Sequence, residues 1–225
     1  MIGRLGGVLA ALACLLLLSA PAHAANHYRV ELIVFRNLQA PARTNPLPPI
    51  IPGTSNAVDL NNQTALRNNG IQVSAGGLGG IWRVLSNSQH YHPMLRVSWT
   101  QTGRSPADAV PLRLHDGKTY MLDTPQDNTR QVYHLDGTAT LLTQPYLHLS
   151  LNLVLLQPGQ SLSGQTGQSG PSMSSGNSMQ GSGTGNASPA LVAYHLRANQ
   201  ALKSGNVRYF DNPAFGVIAK VTQLH

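Results

Sequence analysis

From Tyr146 to Leu155 the chain reads YLHLSLNLVL, with leucine in every second place: 147, 149, 151, 153 and 155. Side chains of a β-strand alternate between its two faces, so the leucines share one side and Tyr146, His148, Ser150 and Asn152 the other. Burying each leucine contributes about 1.5–3 kcal/mol, and a slip of one residue would expose all five. The core therefore fixes the register, and the polar stripe is displayed as a consequence.

Other segments carry the same period. In HYRVELIVF (27–35), Tyr28, Val30, Leu32 and Val34 form an apolar face, and His27, Arg29 and Glu31 share the opposite one. In YHPMLRVSWTQ (91–101), Leu95, Val97 and Trp99 alternate with Arg96, Ser98 and Thr100. Two Asp-Gly pairs, Asp116-Gly117 and Asp136-Gly137, lie between strand-like runs and predict tight hairpin turns, hence an antiparallel sheet. TATLLTQPYLHLSLNLVLL is the longest strand region, interrupted at Pro145, which cannot donate to a ladder and must stand at an edge, a strand start or a bulge. Leu78, Ile81, Trp82 and Leu85 fall on one helical face and predict a short helix from Leu78 to about Ser86, weakened at its start by glycines 76, 77, 79 and 80. LVAYHLRANQALKSG (191–205) fits a helix or a strand, with the strand favoured, and Phe215, Val217, Ala219 and Val221 mark a closing strand. The fold class expected is α+β: a single domain, mainly antiparallel sheet, with one or two helices packed on its apolar face.

Two stretches lack such a pattern. Residues 37–75, rich in proline and asparagine, read as a long loop. Residues 157–189 contain no charged side chain and almost nothing to bury, so they read as a disordered glycine- and serine-rich insertion within the domain spanning 25–225.

Met1 to Ala24 has one arginine, an apolar run from Val8 to Leu18 and Ala22-His23-Ala24 as a small-x-small site, which reads as a cleavable signal peptide and places the mature chain in the periplasm. The only cysteine, Cys14, leaves with it. No disulfide, thiol catalysis or cysteine-bound zinc then remains, and the apolar core alone must hold the fold. The formal charge is +7, or +6 once Arg4 is removed (14 basic minus 8 acidic), which favours anionic partners such as cell-wall carboxylates. Export, and the lack of a basic cluster interleaved with aromatics, point away from nucleic acid.

Catalytic settings are missing. Glu31 is the only glutamate, and the seven aspartates stand mostly in turn contexts; Asp123 and Asp127 are close in sequence, but TPQDN reads as a turn. His90 and His92 share a strand face without a third ligand. GKT at 117–119 has Leu112 where a phosphate loop needs glycine, GLGGIW ends in Trp82 where a dinucleotide motif needs glycine, and no GxSxG occurs. No catalytic residue, metal ligand or cofactor site is assigned.

YRVELIVFR, YHPMLRVSWTQ, and YLHLSLNLVLL followed by VRYFDNPAFGVIAKV together resemble the CsiV family of periplasmic peptidoglycan-binding proteins, and the last block is the most specific. The resemblance implies a role in cell-wall synthesis, and for its best-known member a link through an outer-membrane lipoprotein that activates a bifunctional penicillin-binding protein. The chain departs from that pattern at Asn212, where a histidine is usual, at ANQALKSG (198–205), where arginines are usual, and in the insertion. No ligand residue is carried over.

The expected function is a non-catalytic periplasmic adaptor, not integral to the membrane, that binds peptidoglycan. The alternative is a periplasmic protein-interaction module that does not touch glycan. The wall polymer offers sugar hydroxyls and peptide carboxylates, so its binder supplies aromatic faces, amides, hydroxyls and cations. The candidates are Tyr146, His148, Ser150 and Asn152 on the leucine strand, with Arg29, Glu31, Arg96 and Ser98 on the first two strands, where the arginines meet carboxylates if those strands are neighbours.

Overall fold

A computed structural model describes residues 26–41, 50–74, 77–123, 129–143, 145–158 and 191–224. The expected signal peptide, residue Asp127, and all but the first two residues of the expected insertion lie outside the described residues.

Strand periodicity dominates, and the α+β class holds. The sheet expected from the sequence is two sheets of five strands. In the first, β1 (His27–Asn37) lies between β4 (Tyr91–Thr102) and β10 (Phe215–Leu224), with β3 (Gln72–Ser74) outside β4 and β9 (Val207–Asp211) outside β10, all antiparallel. The second runs β2 (Val58–Asp59), β5 (Leu112–Asp123), β6 (Thr129–Leu142), β7 (His148–Pro158), β8 (Leu191–Ala201). Its β2–β5 pair is parallel and the rest antiparallel.

The leucine face of β7 packs on the other sheet rather than on a helix. Leu149, Leu151, Leu153 and Leu155 share one core with Leu112 and Leu114 of β5, Val30, Leu32 and Val34 of β1, Trp99 of β4, and Val217, Ala219 and Val221 of β10. Trp99 keeps its indole N–H satisfied inside this core by donating to Gln101 Oε1 at 2.7 Å. The expected helix forms as α2 (Gly79–Ser86), preceded in chain order by the short α1 (Gln63–Asn68). Leu78, Ile81, Trp82 and Leu85 of the α2 turn region cover Ile33, Phe35 and Ile218 on the outside of the first sheet. Both sheets thus bury their facing sides; on the outer side of the second, Val132, Val154 and Leu156 are also buried, under Ile51, Tyr120, Leu122 and Ala193, and the open part lies around Ser150, Arg197 and Asn199.

Region 37–75 is more structured than a loop, because it carries β2, α1 and β3. Asn62 caps α1 by accepting the Ala65 N–H at 3.0 Å, and Leu66 reaches the core. Pro145 marks a chain reversal: TATLL ends β6, HLS begins β7, and Leu141 pairs with Leu149. The ambiguous segment 191–205 is a strand, β8, until Ala201.

Neither Asp-Gly pair makes a hairpin turn. Asp116-Gly117 sits at a bulge inside β5, with φ +79° at Gly117, and Asp136-Gly137 lies in the middle of β6. Glycine is required at 137 for two reasons. Its φ is +146°, and a Cβ there would strike the Asn152 carbonyl and come within 2.7 Å of Leu153 Cα on β7. Gly137→Ala is expected to destabilise the protein by about 2 kcal/mol or more, read as a lower urea midpoint with unchanged m-value; an unshifted midpoint would contradict this close approach.

Candidate functional site

Leucines on the inner side of β7 fix which residues of the second sheet face outward. His148, Ser150 and Asn152 do so, and the register brings their neighbours into rows. Asn152 pairs with Thr138 on β6 and Arg197 on β8, and Thr138 pairs with Arg113 on β5, which pairs with Asp59 on β2. One polar row therefore crosses all five strands. The next row is Thr140, Ser150 and Asn199, and the one after it Leu142, His148 and Ala201. With strands about 4.8 Å apart and rows roughly 7 Å apart, these positions make a flat field of hydroxyls and amides.

Charge is distributed unevenly across this field. At the β2–β5 end, Arg113 donates from Nε to Asp136 Oδ1 at 3.0 Å and from Nη2 to Oδ2 at 2.7 Å, while the Tyr133 N–H also reaches Oδ2. Asp136 is fully buried, so its charge is held by these donors. Tyr133 stacks on His115 at 4.1 Å and lies 5.3 Å from the Arg113 guanidinium carbon. His115 Nε2 lies 3.2 Å from Asp59 Oδ2, and the Asn61 N–H donates to Oδ1 at 2.8 Å. Burial works to raise the Asp59 carboxyl, but Asn61, His115 and Arg113 outweigh it and hold it below its ordinary value. These charges are engaged inside the fold.

At the β8 end the opposite holds: Arg197 and Asn199 are exposed. Asn152 Oδ1 is buried without a donor from the protein. Tyr146 is not on β7 but in the bend before it, 71% exposed, with its ring 6.5 Å from that of His148, whose Nδ1 lies 3.0 Å from the Tyr146 carbonyl. An aromatic ring, hydroxyls, amides and one open guanidinium thus share one face.

Arg29, Glu31, Arg96 and Ser98 belong to the other sheet. β1 and β4 are neighbours, with Arg29 opposite Thr100, Glu31 opposite Ser98, and Ile33 opposite Arg96. The eight candidates therefore fall into two groups on opposite outer sides of the molecule. Arg29 is exposed and Ser98 is buried. Arg96 Nε donates to the Gly77 carbonyl at 2.7 Å, and the Glu31 carboxylate lies where a Cβ on residue 77 would stand. Arg96 thus fastens the approach to α2, with the Glu31 carboxylate packed against Gly77 beside it. Arg113, Arg197, Thr138, Thr140 and Asn199 are the face residues that sequence reading missed. Their signal was the phase of alternation in β8 once that segment is taken as a strand, and the pairing of β6 with β7.

A family model described as peptidoglycan-binding protein, CsiV, matches residues 7–224. The chain belongs to the CsiV family. No curated protein and no solved structure gives a match. The matched span includes the terminal block. Asn212 accepts the Ala214 N–H at 3.0 Å through Oδ1 and donates through Nδ2 to the His195 carbonyl at 2.7 Å. That side chain ties the β9–β10 turn of one sheet to β8 of the other. Among the described residues no helix is long and apolar enough to cross a membrane.

Two outcomes separate the engaged charges from the open one. Arg113→Ala leaves Asp136 buried without its cation and is expected to cost about 3–5 kcal/mol in urea unfolding, whereas Arg197→Ala stays within about 0.5 kcal/mol. Burial first, and then the Arg36 and Lys118 charges, depress the His134 imidazole below its ordinary value. A depressed folded pKa gives stability that is full above the unfolded value and declines as pH falls below it. The urea midpoint should therefore drop between about pH 7.5 and about pH 5.5, and His134→Gln should flatten that slope; an equal slope in both proteins would refute the assignment.

Proposed function

We propose that this CsiV-family chain is a non-catalytic periplasmic adaptor that docks on peptidoglycan with the outer face of its second sheet and supports cell-wall synthesis through an activator of a wall synthase. The observation that carries the reading is the in-register polar field of β6, β7 and β8, bounded by Tyr146 and Arg197. Thr140, Ser150 and Asn199 match sugar hydroxyls and amides, Tyr146 offers a ring to a sugar face, and Arg197 pairs with a stem-peptide carboxylate. A formal charge of +7, or +6 without Arg4, draws the chain toward an anionic wall. A flat field on a leucine-anchored sheet binds without rearrangement, which limits the ordering cost of association.

Arg29 and Arg96 fit this reading less well than Arg197, since they stand on the other outer side and Arg96 already serves the α2 approach. Purified protein should co-sediment with insoluble murein sacculi at low salt and release no muropeptides. Arg197→Ala combined with Tyr146→Ala should weaken retention about tenfold with an unchanged melting temperature, while Arg29→Ala should have little effect. Retention of the double variant at wild-type strength would remove the proposed face, and released muropeptides would remove the non-catalytic assignment.

A further inference from the structure

The other outer side carries an aromatic group that the polar field does not use. Phe35 on β1 pairs with Gly216 on β10, and Gly216 with Asp211 on β9. The Phe35 and Tyr209 rings are nearly parallel, at 15° and 6.0 Å, and Tyr91 meets Phe35 edge-on at 5.2 Å. A Cβ on residue 216 would lie 2.7 Å from Phe35 Cζ and 2.7 Å from Tyr209 Cε2, so glycine lets both rings settle on the strand. Phe35 is buried, but Tyr91 is 40% and Tyr209 52% exposed. The Tyr209 hydroxyl donates to Asp211 Oδ1 at 2.7 Å, which fixes the ring. Burial first, and the Asp211 carboxylate second, hold that hydroxyl protonated well above the ordinary phenol range.

We infer that Tyr91, Tyr209 and Asp211 form a second wall-polymer subsite, which takes the pyranose rings of a glycan strand rather than its peptides. This rests on the peptidoglycan reading and adds a location and a ligand part to it. Ring C–H groups of a sugar pack on tyrosine faces that are already oriented, so little side-chain entropy is lost on binding. The second oxygen of Asp211 accepts sugar hydroxyls, and its negative charge repels stem-peptide carboxylates, which the exposed Arg197 attracts on the opposite side. The two sites are on opposite outer faces, so separate strands can fill them together and one protein molecule bridges the pair.

The test compares intact sacculi with uncharged peptide-free strands, oligomers of β-1,4-linked N-acetylglucosamine, because stripping the wall polymer of its peptides would bare lactyl carboxylates that Asp211 repels; the whole protein is used. Tyr91→Ala with Tyr209→Ala should weaken binding of the peptide-free strands about tenfold, and Asp211→Ala, an exposed truncation that keeps the fold, about threefold. Retention on intact sacculi should persist in both through the polar field. If wild-type protein ignores intact sacculi, the peptidoglycan reading itself fails. If it binds sacculi but not peptide-free strands, or if Asp211→Ala and the double variant bind those strands as wild type does, the reading stands and this subsite is lost. Loss of a protein partner with unchanged glycan binding would likewise overturn it, by reassigning the tyrosines to a protein interface.

Discussion

Leucines 149, 151, 153 and 155 hold β7 against the core strands of the opposite sheet, and each is essentially closed to solvent. Because that burial fixes the register of β7, it also fixes which residues of β6 and β8 stand beside it. Thr138, Thr140, Arg197 and Asn199 reach the outer face only because Ala139, Leu141, Leu196 and Ala198 go inward with the leucines. Gly137 belongs to the same constraint, since β7 approaches β6 too closely there for any side chain. The candidate binding face is the outward half of a packing solution.

Charges follow a parallel division between structure and recognition. Arg113 and Asp136 lie within the field yet satisfy one another, and a buried pair of this kind specifies geometry rather than offering itself to a ligand. Arg96 is likewise engaged, holding the Gly77 carbonyl at the approach to α2. Arg197 stays exposed at the far end of the row and can exchange water for a carboxylate. Position in the sheet, more than residue type, separates fastening charges from recognition charges.

Local pattern carried much of this. The alternation of β1, β4 and β7, the face of α2 and the interruption at Pro145 depend on a few consecutive residues, and they appear where periodicity put them. Pairing across sequence distance was not legible. Nothing near Arg29 or Arg96 says that β1 and β4 lie in a different sheet from β7, and Asp136-Gly137 has the chemistry of a turn although β7 runs beside it. The 191–205 segment concealed Arg197 for a simpler reason, since its apolar residues satisfy helical and strand periods alike. The aromatic group around Gly216 joins three strands, so its members look unrelated in sequence.

The central claim is that the wall polymer contacts the outer side of β6, β7 and β8. Hydrogen–deuterium exchange of the purified protein, with and without soluble muropeptide oligomers, addresses it without altering a residue. Slowed exchange should concentrate in 138–142, 145–152 and 195–200, while the buried core strands stay unchanged. Protection confined to the first sheet, or none at saturating oligomer, would contradict it.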